Sequence, residues 1–79
     1  MQREEIIEKV RAILILVLKH DRFEMVDELT ATMVEGWDSL THMAIITEIE
    51  EDFKIQFKLK ELNKLRNMGT LLELIQAKL

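Results

Sequence analysis

The sequence predicts an all-α fold in which four helices close one small core, with a long irregular connection between the first two. Three observations carry that expectation. Helix formers abound, proline is absent, glycine occurs only at Gly36 and Gly69, and aromatic residues make up 5% of the chain, a composition that favours helix over sheet. Apolar residues recur at helical spacing in three separate stretches, which is the mark of helices that each bury one face. The single alternating run, Lys54 to Lys58, has no second strand to pair with.

The first helix is expected from about Gln2 to His20, because Ile6, Ile7, Val10, Ile13, Leu14 and Val17 follow the i, i+3, i+4, i+7 pattern of a core-facing stripe. Ile15, Leu16 and Leu18 widen that stripe, so one side is free to cover the following loop or touch a partner. His20 and Asp21 fall near the helix end, where a histidine can meet terminal carbonyls. The connection from Arg22 to Asp38 carries Phe23, Val26, Leu29, Met33 and Val34 as apolar anchors, with a short helical turn near Val26 to Leu29. Connections of this length are functional or flexible more often than idle.

The second helix is expected from Ser39 to about Phe53, with Leu40, Met43, Ile46 and Ile49 or Phe53 at helical spacing and Ile45 beside them. It should be roughly 22 Å long at 1.5 Å per residue. Glu48, Glu50, Glu51 and Asp52 crowd its far end, where negative charge opposes the helix dipole and suggests recognition as the reason for it. Lys54 to Lys58 then reads as an extended connector into a short helix from Leu59 to Leu65, whose inner face is Leu59, Leu62 and Leu65. Asn67 is the expected N-cap of a last helix from Met68 to Lys78, with Leu71, Leu72, Ile75 and Leu79 on its apolar side.

Seventy-nine residues are expected to form a single domain, 1–79, that buries only about 60% of the surface its unfolded chain exposes. Such a chain has little room for a deep catalytic cleft. With no cysteine there is no disulfide framework, thiolate zinc site or cysteine nucleophile, so any thiol chemistry must be supplied by a cofactor. His20 and His42 lack companions at metal-binding spacing, and no metal site is expected. The apolar run Ile13 to Leu18 is far shorter than the roughly 20 residues of a spanning helix, and the first residues do not resemble a secretory signal. The expectation is a cytoplasmic protein with no transmembrane segment.

Charge is distributed unevenly. The net value is −4, yet Phe23 through Phe53 contains Glu24, Asp27, Glu28, Glu35, Asp38, Glu48, Glu50, Glu51 and Asp52 without one Lys or Arg. An acidic middle invites partners with basic surfaces and repels nucleic acid. A solvated acidic face is the plainer explanation of any one such residue.

The acidic middle is centred on Gly36-Trp37-Asp38-Ser39-Leu40. Gly36 can adopt backbone angles closed to other residues, and Asp38 and Ser39 are both good N-caps for the helix that follows. A hydroxyl at a helix start lies among unpaired N–H groups at the positive end of the dipole, a setting that suits a phosphoester. Taken alone, Asp38-Ser39-Leu40 reads as a plain helix cap, and only its context points further.

The whole arrangement resembles the acyl carrier protein family: a long first helix, a long loop, Gly-Trp-Asp-Ser-Leu near the midpoint, an acidic second helix, a short third helix, and Leu65-Arg66-Asn67-Met68-Gly69-Thr70-Leu71 before the last helix. The resemblance implies the small four-helix bundle of that family. It further implies that Ser39 receives 4′-phosphopantetheine from coenzyme A through a magnesium-dependent phosphopantetheinyl transferase, with Asp38 as the motif acid. Acyl or aminoacyl groups would then ride as thioesters on the new thiol, with no catalysis by the protein itself. By the same correspondence, Leu40, Met43, Thr47, Glu50 and Glu51 form the partner side, facing acyl-loading and acyl-transfer enzymes, while Trp37 either packs over the loop or joins that side as an interface anchor. Ile45, Ile46, Ile49 and Phe53 line the core, where an acyl chain could enter. The protein is expected to be a monomer.

Carriers of fatty acid biosynthesis commonly have more acid where this chain has Thr41, His42 and Ala44, and often Ala at the position of Trp37. Those departures suggest polyketide or other specialised acyl transfer. Two rival readings stand beside the carrier. An unmodified helical adaptor would use the acidic middle for docking alone. An esterase would use Ser39 with His42 as base, but adjacency on a helix supplies neither an orienting third group nor an oxyanion hole.

Overall fold

A computed structural model describes all 79 residues. Four helices occur in the order α1 (Arg3–Leu18), α2 (Ser39–Phe53), α3 (Leu59–Leu62) and α4 (Met68–Lys78), with a single 3-10 turn at Ala31–Met33 and no strand. The helical stripes meet in one core. Ile6, Val10, Ile13 and Leu14 of α1 face Ile45, Ile46, Ile49 and Phe53 of α2 and Met68, Leu71, Leu72 and Ile75 of α4, and α1 touches both of those helices. No buried side-chain nitrogen or oxygen lacks a hydrogen-bond partner, as a core of this size requires.

The first helix is shorter at both ends than its apolar pattern suggests. Gln2 is the N-cap and Lys19, in the left-handed conformation (φ 64°), closes the helix by donating its N–H to the Ile15 carbonyl. His20 lies beyond that cap and does not reach the helix carbonyls. Its Nε2 instead meets the Glu35 carbonyl at 2.7 Å, while its Nδ1 accepts from the Arg22 N–H at 3.0 Å. These two contacts require the proton on Nε2. The widened side of α1 does cover the loop: Leu18 lies 3.9 Å from where a Cβ on Gly36 would be. Leu16 remains exposed.

The long connection is ordered by fewer anchors than expected. Leu29 and Val34 are buried and Phe23 is half-buried, but Val26 and Met33 face solvent. Near Val26 there is only a tight turn, in which the Leu29 N–H reaches the Val26 carbonyl at 3.1 Å. The helical turn lies further on, at Ala31–Met33. The loop is tied to the start of α4 by backbone bonds from Met68 N–H to Leu29 and from Gly69 N–H to Asp27, 2.8 and 3.0 Å. Gly69 is needed for that approach, since a Cβ there would come within 3.0 Å of the Asp27 Cβ.

The extended connector after Phe53 is present, but α3 is one turn rather than two. Its predicted inner face fails at Leu59, which is 74% exposed, while Leu62 and Leu65 pack against the core. At 100° per residue, Leu59 and Leu62 stand about 60° apart around the single turn of α3, and only Leu62 reaches the core. Asn67 caps α4 as expected, its Oδ1 accepting from Thr70 N–H at 3.0 Å. Leu79 lies past the helix and is exposed.

Candidate functional site

The turn before α2 is built by three residues with separate tasks. Gly36 takes φ +84°, a conformation that favours glycine, and turns the chain towards the helix. Asp38 is the N-cap, with Oδ1 accepting from the N–H groups of Leu40 and Thr41 at 3.0 Å each. The Thr41 hydroxyl completes the box by accepting from Asp38 N–H at 2.8 Å and donating to the Gly36 carbonyl at 2.7 Å. Those bonds, led by the one from Thr41 N–H, hold the Asp38 carboxyl below the usual aspartate range, against a smaller opposing effect of desolvation.

Asp38 takes the capping role, and Ser39 is therefore the first residue of the helix. Its side chain is exposed and makes no hydrogen bond, and its N–H is also unpaired. The hydroxyl and the amide both remain available at the positive end of α2. A group joined to Ser39 through a phosphate has space and a favourable field there, so the residues present fit a phosphopantetheine ester.

The depressed Asp38 pKa has a measurable consequence. The ionised carboxylate stabilises the fold above its unfolded pKa of about 3.9, and that contribution is lost as pH falls through the lower folded value. Asp38→Asn keeps a good cap but removes the titration. Thermal melts from pH 7 down to about 3 should show a smaller acid-induced loss of Tm in the variant. Equal losses would mean that the cap does not depend on the charge.

His42 lies one turn into α2, yet it is not presented to Ser39 as a base. Its Nδ1 accepts from Trp37 Nε1–H at 3.1 Å, and the two rings stack with centroids 6.2 Å apart and planes at 25°. No third group orients His42 towards Ser39, so the arrangement does not form a hydrolytic triad. Trp37 itself is half-buried against the core. This pair was not legible as a contact in the sequence; its only signal is an indole five residues before an imidazole across a helix cap.

The other predicted partner residues separate into two groups. Leu40 is 83% exposed, and Met43, Thr47 and Glu51 also face solvent. Glu50 is turned inward to a structural task, its Oε2 accepting from Phe57 N–H at 2.8 Å. That bond fixes the connector after α2. Asp52 approaches Lys9 of α1 at 3.7 Å. Glu50 thus serves the fold, while Asp52 forms only a loose surface pair of little energetic weight, so one of the four carboxylates at the end of α2 has a structural reason. Glu35 is held below the usual glutamate range chiefly by a hydrogen bond from Arg22, whose guanidinium lies 2.9 Å away.

No cluster of His, Cys, Asp or Glu could hold a metal ion, and no helix is long and apolar enough to cross a membrane.

Comparison with known proteins agrees with this geometry. A family model described as a phosphopantetheine attachment site matches residues 8–75. A solution NMR structure of the holo acyl carrier protein from Geobacter metallireducens is 36% identical, with a TM-score of 0.84 over 91% of this chain and 83% of the other. No curated protein matches the sequence. The chain belongs to the acyl carrier protein family, non-catalytic carriers that use a covalent 4′-phosphopantetheine.

Proposed function

We propose that Ser39 Oγ is the attachment point of the 4′-phosphopantetheine, and that the protein delivers acyl groups within a specialised pathway to partners docking over α2. The observation that carries this reading is the unbonded Ser39 hydroxyl at the first position of α2, beside an unpaired N–H. On transfer, Ser39 Oγ bonds to the phosphorus of coenzyme A that carries the pantetheine. The phosphoanhydride bond to the nucleotide breaks, and the Ser39 proton passes to a base of the transferase. Asp38 keeps the helix start rigid throughout, and when bound, the arm supplies the thiol that this chain lacks.

The partner surface we infer is Leu40, Met43, Thr47 and Glu51, with Trp37 at its edge. Two exposed apolar side chains next to unpaired acid suit a partner that is apolar at its centre and basic at its rim. Thr41, His42 and Ala44 make the first half of α2 less acidic than in fatty acid carriers, which supports a different partner set. We further propose that the carrier is a single 1–79 domain acting as a cytoplasmic monomer.

The test is acyl loading. Wild-type protein incubated with an acyl-coenzyme A, magnesium and a broad-specificity phosphopantetheinyl transferase should gain one acyl-phosphopantetheine, and hydroxylamine should then remove only the acyl part. Failure of a folded protein to load with several transferases would favour an unmodified adaptor. A gain that resists hydroxylamine would rule out a thioester.

A further inference from the structure

Charge is segregated along this chain. Residues 23–53 hold nine acids and no Lys or Arg, while residues 54–66 hold Lys54, Lys58, Lys60, Lys64 and Arg66 against a single acid, Glu61. All five cations are exposed. The four ion pairs of the molecule use Arg3, Lys9, Arg22 and Lys78, so none of the five is paired, and Glu61 is already taken by Lys78 at 2.9 Å. Leu59, between Lys58 and Lys60, is 74% exposed. A run of like charge alone is a solvated face. An unpaired run around a bare leucine has instead the make-up of an interface, an apolar point within a charged rim.

This basic segment runs back beside α2. Lys54 closes that helix at the end far from Ser39, and the bond from Phe57 N–H to Glu50 at 2.8 Å keeps the connector against it. Arg66, at the other end of the segment, lines the same hollow as Trp37 and His42 at the start of α2. We propose that Lys58 to Arg66 is a second docking strip, opposite in sign to α2, which selects acyl-handling enzymes that carry acid beside their basic patch and turns away enzymes whose docking face is basic throughout. The proposal rests on partners docking over α2. A partner seated on Leu40, Met43 and Glu51 also reaches the adjoining strip, because the whole molecule spans only 28 × 25 × 22 Å and a standard interface covers about 800 Å² per side. Basic groups that extend from Glu51 over Lys60 and Lys64 meet repulsion, whereas carboxylates there gain cations that the fold leaves free. A flat anionic bilayer fits less well, since it meets the neighbouring carboxylates of α2 with the same sign.

The consequence is a gain of function on charge reversal. An exposed charge pair changes affinity by up to about fivefold, so reversing three charges should shift binding by about tenfold or more. Holo protein, its loading confirmed by intact mass, is compared with a holo variant combining Lys58→Glu, Lys60→Glu and Lys64→Glu. Both serve as acyl acceptor for a fatty acid synthesis acyltransferase whose docking face is basic throughout. The variant should show a KM lower by about tenfold or more with kcat nearly unchanged, and added salt should narrow the difference. A KM that is unchanged or raised overturns the proposal. Should the triple variant fail to fold, Lys60→Gln with Lys64→Gln should lower KM by about threefold, and an unchanged KM again overturns it.

Direct binding tests the attractive half. An amphipathic Glu-Leu helical peptide titrated into isotope-labelled holo protein should shift the amides of residues 58–66 in the wild type and not in the triple variant. Equal shifts in both proteins, or none at 58–66, overturn the strip. Phosphatidylglycerol vesicles that move the same amides when the peptide does not would make the strip a membrane surface and overturn its role towards enzymes. A Lys-Leu peptide should shift the amides from Leu40 to Glu51. If it leaves them unmoved, docking over α2 is itself contradicted and the strip falls with it, an outcome distinct from a failure confined to residues 58–66.

Discussion

Ser39→Ala is expected to leave the protein folded and to abolish phosphopantetheine uptake completely. The two halves of that result have different physical origins. The Ser39 side chain makes no hydrogen bond and is exposed, and alanine is well tolerated within a helix, so stability should stay within about 0.5 kcal/mol of wild type. The bonds that start α2 belong to Asp38 and Thr41 and survive the substitution. Only the nucleophilic oxygen is lost. Circular dichroism melts beside intact mass after transferase treatment check both halves. A Ser39→Ala variant that still takes up the arm would place attachment elsewhere, and one that unfolds would show a structural role for the hydroxyl.

The second large effect lies in the core, further along the same helix. Ile49 is fully buried in the core cluster to which α1, α2 and α4 all contribute, and Ile49→Ala should destabilise the fold by about 2–5 kcal/mol, the range for truncating a large aliphatic core residue. A chain of this length has a total stability of only about 4–12 kcal/mol. The variant should therefore melt at least ~10 °C lower, and weaker packing under α2 should reduce uptake by unfolding the helix start. Met43→Ala removes an exposed side chain and should leave Tm nearly unchanged while weakening partner binding. If Met43→Ala and Ile49→Ala lower Tm equally, α2 does not have the core-facing and outward sides described here.

Much of this architecture was legible in the sequence because local and tertiary demands agree. The second helix has the predicted bounds, since Asp38 caps it and its apolar spacing continues to Phe53. The start of α4 was equally clear, because Asn67 is a good cap immediately before an apolar stripe. The ends of α1 were obscured because Lys19, not glycine, adopts the left-handed closing conformation, so no glycine signal marked the stop. The loop depended on tertiary bonds to Met68 and Gly69, which no local pattern announces. Val26 and Met33 were apolar without being anchors for the same reason.

At the site, the motif pointed to Ser39, but composition could not decide which of Asp38 and Ser39 caps the helix. The structure assigns the cap to Asp38 and thereby leaves the hydroxyl unbonded. The acids at the end of α2 were legible as charge but not as structure. Glu50 accepts from Phe57, seven residues away, and Asp52 approaches Lys9 on another helix. The Trp37–His42 pair required the geometry of the Gly36 turn to bring indole and imidazole together.

The most direct test of the central claim is fragmentation mass spectrometry on wild-type protein treated with coenzyme A, magnesium and a phosphopantetheinyl transferase. One phosphopantetheine, located on Ser39 within the peptide containing Gly36 to Leu40, is the predicted result. A modification on another residue, or none in a protein that is demonstrably folded, would contradict it.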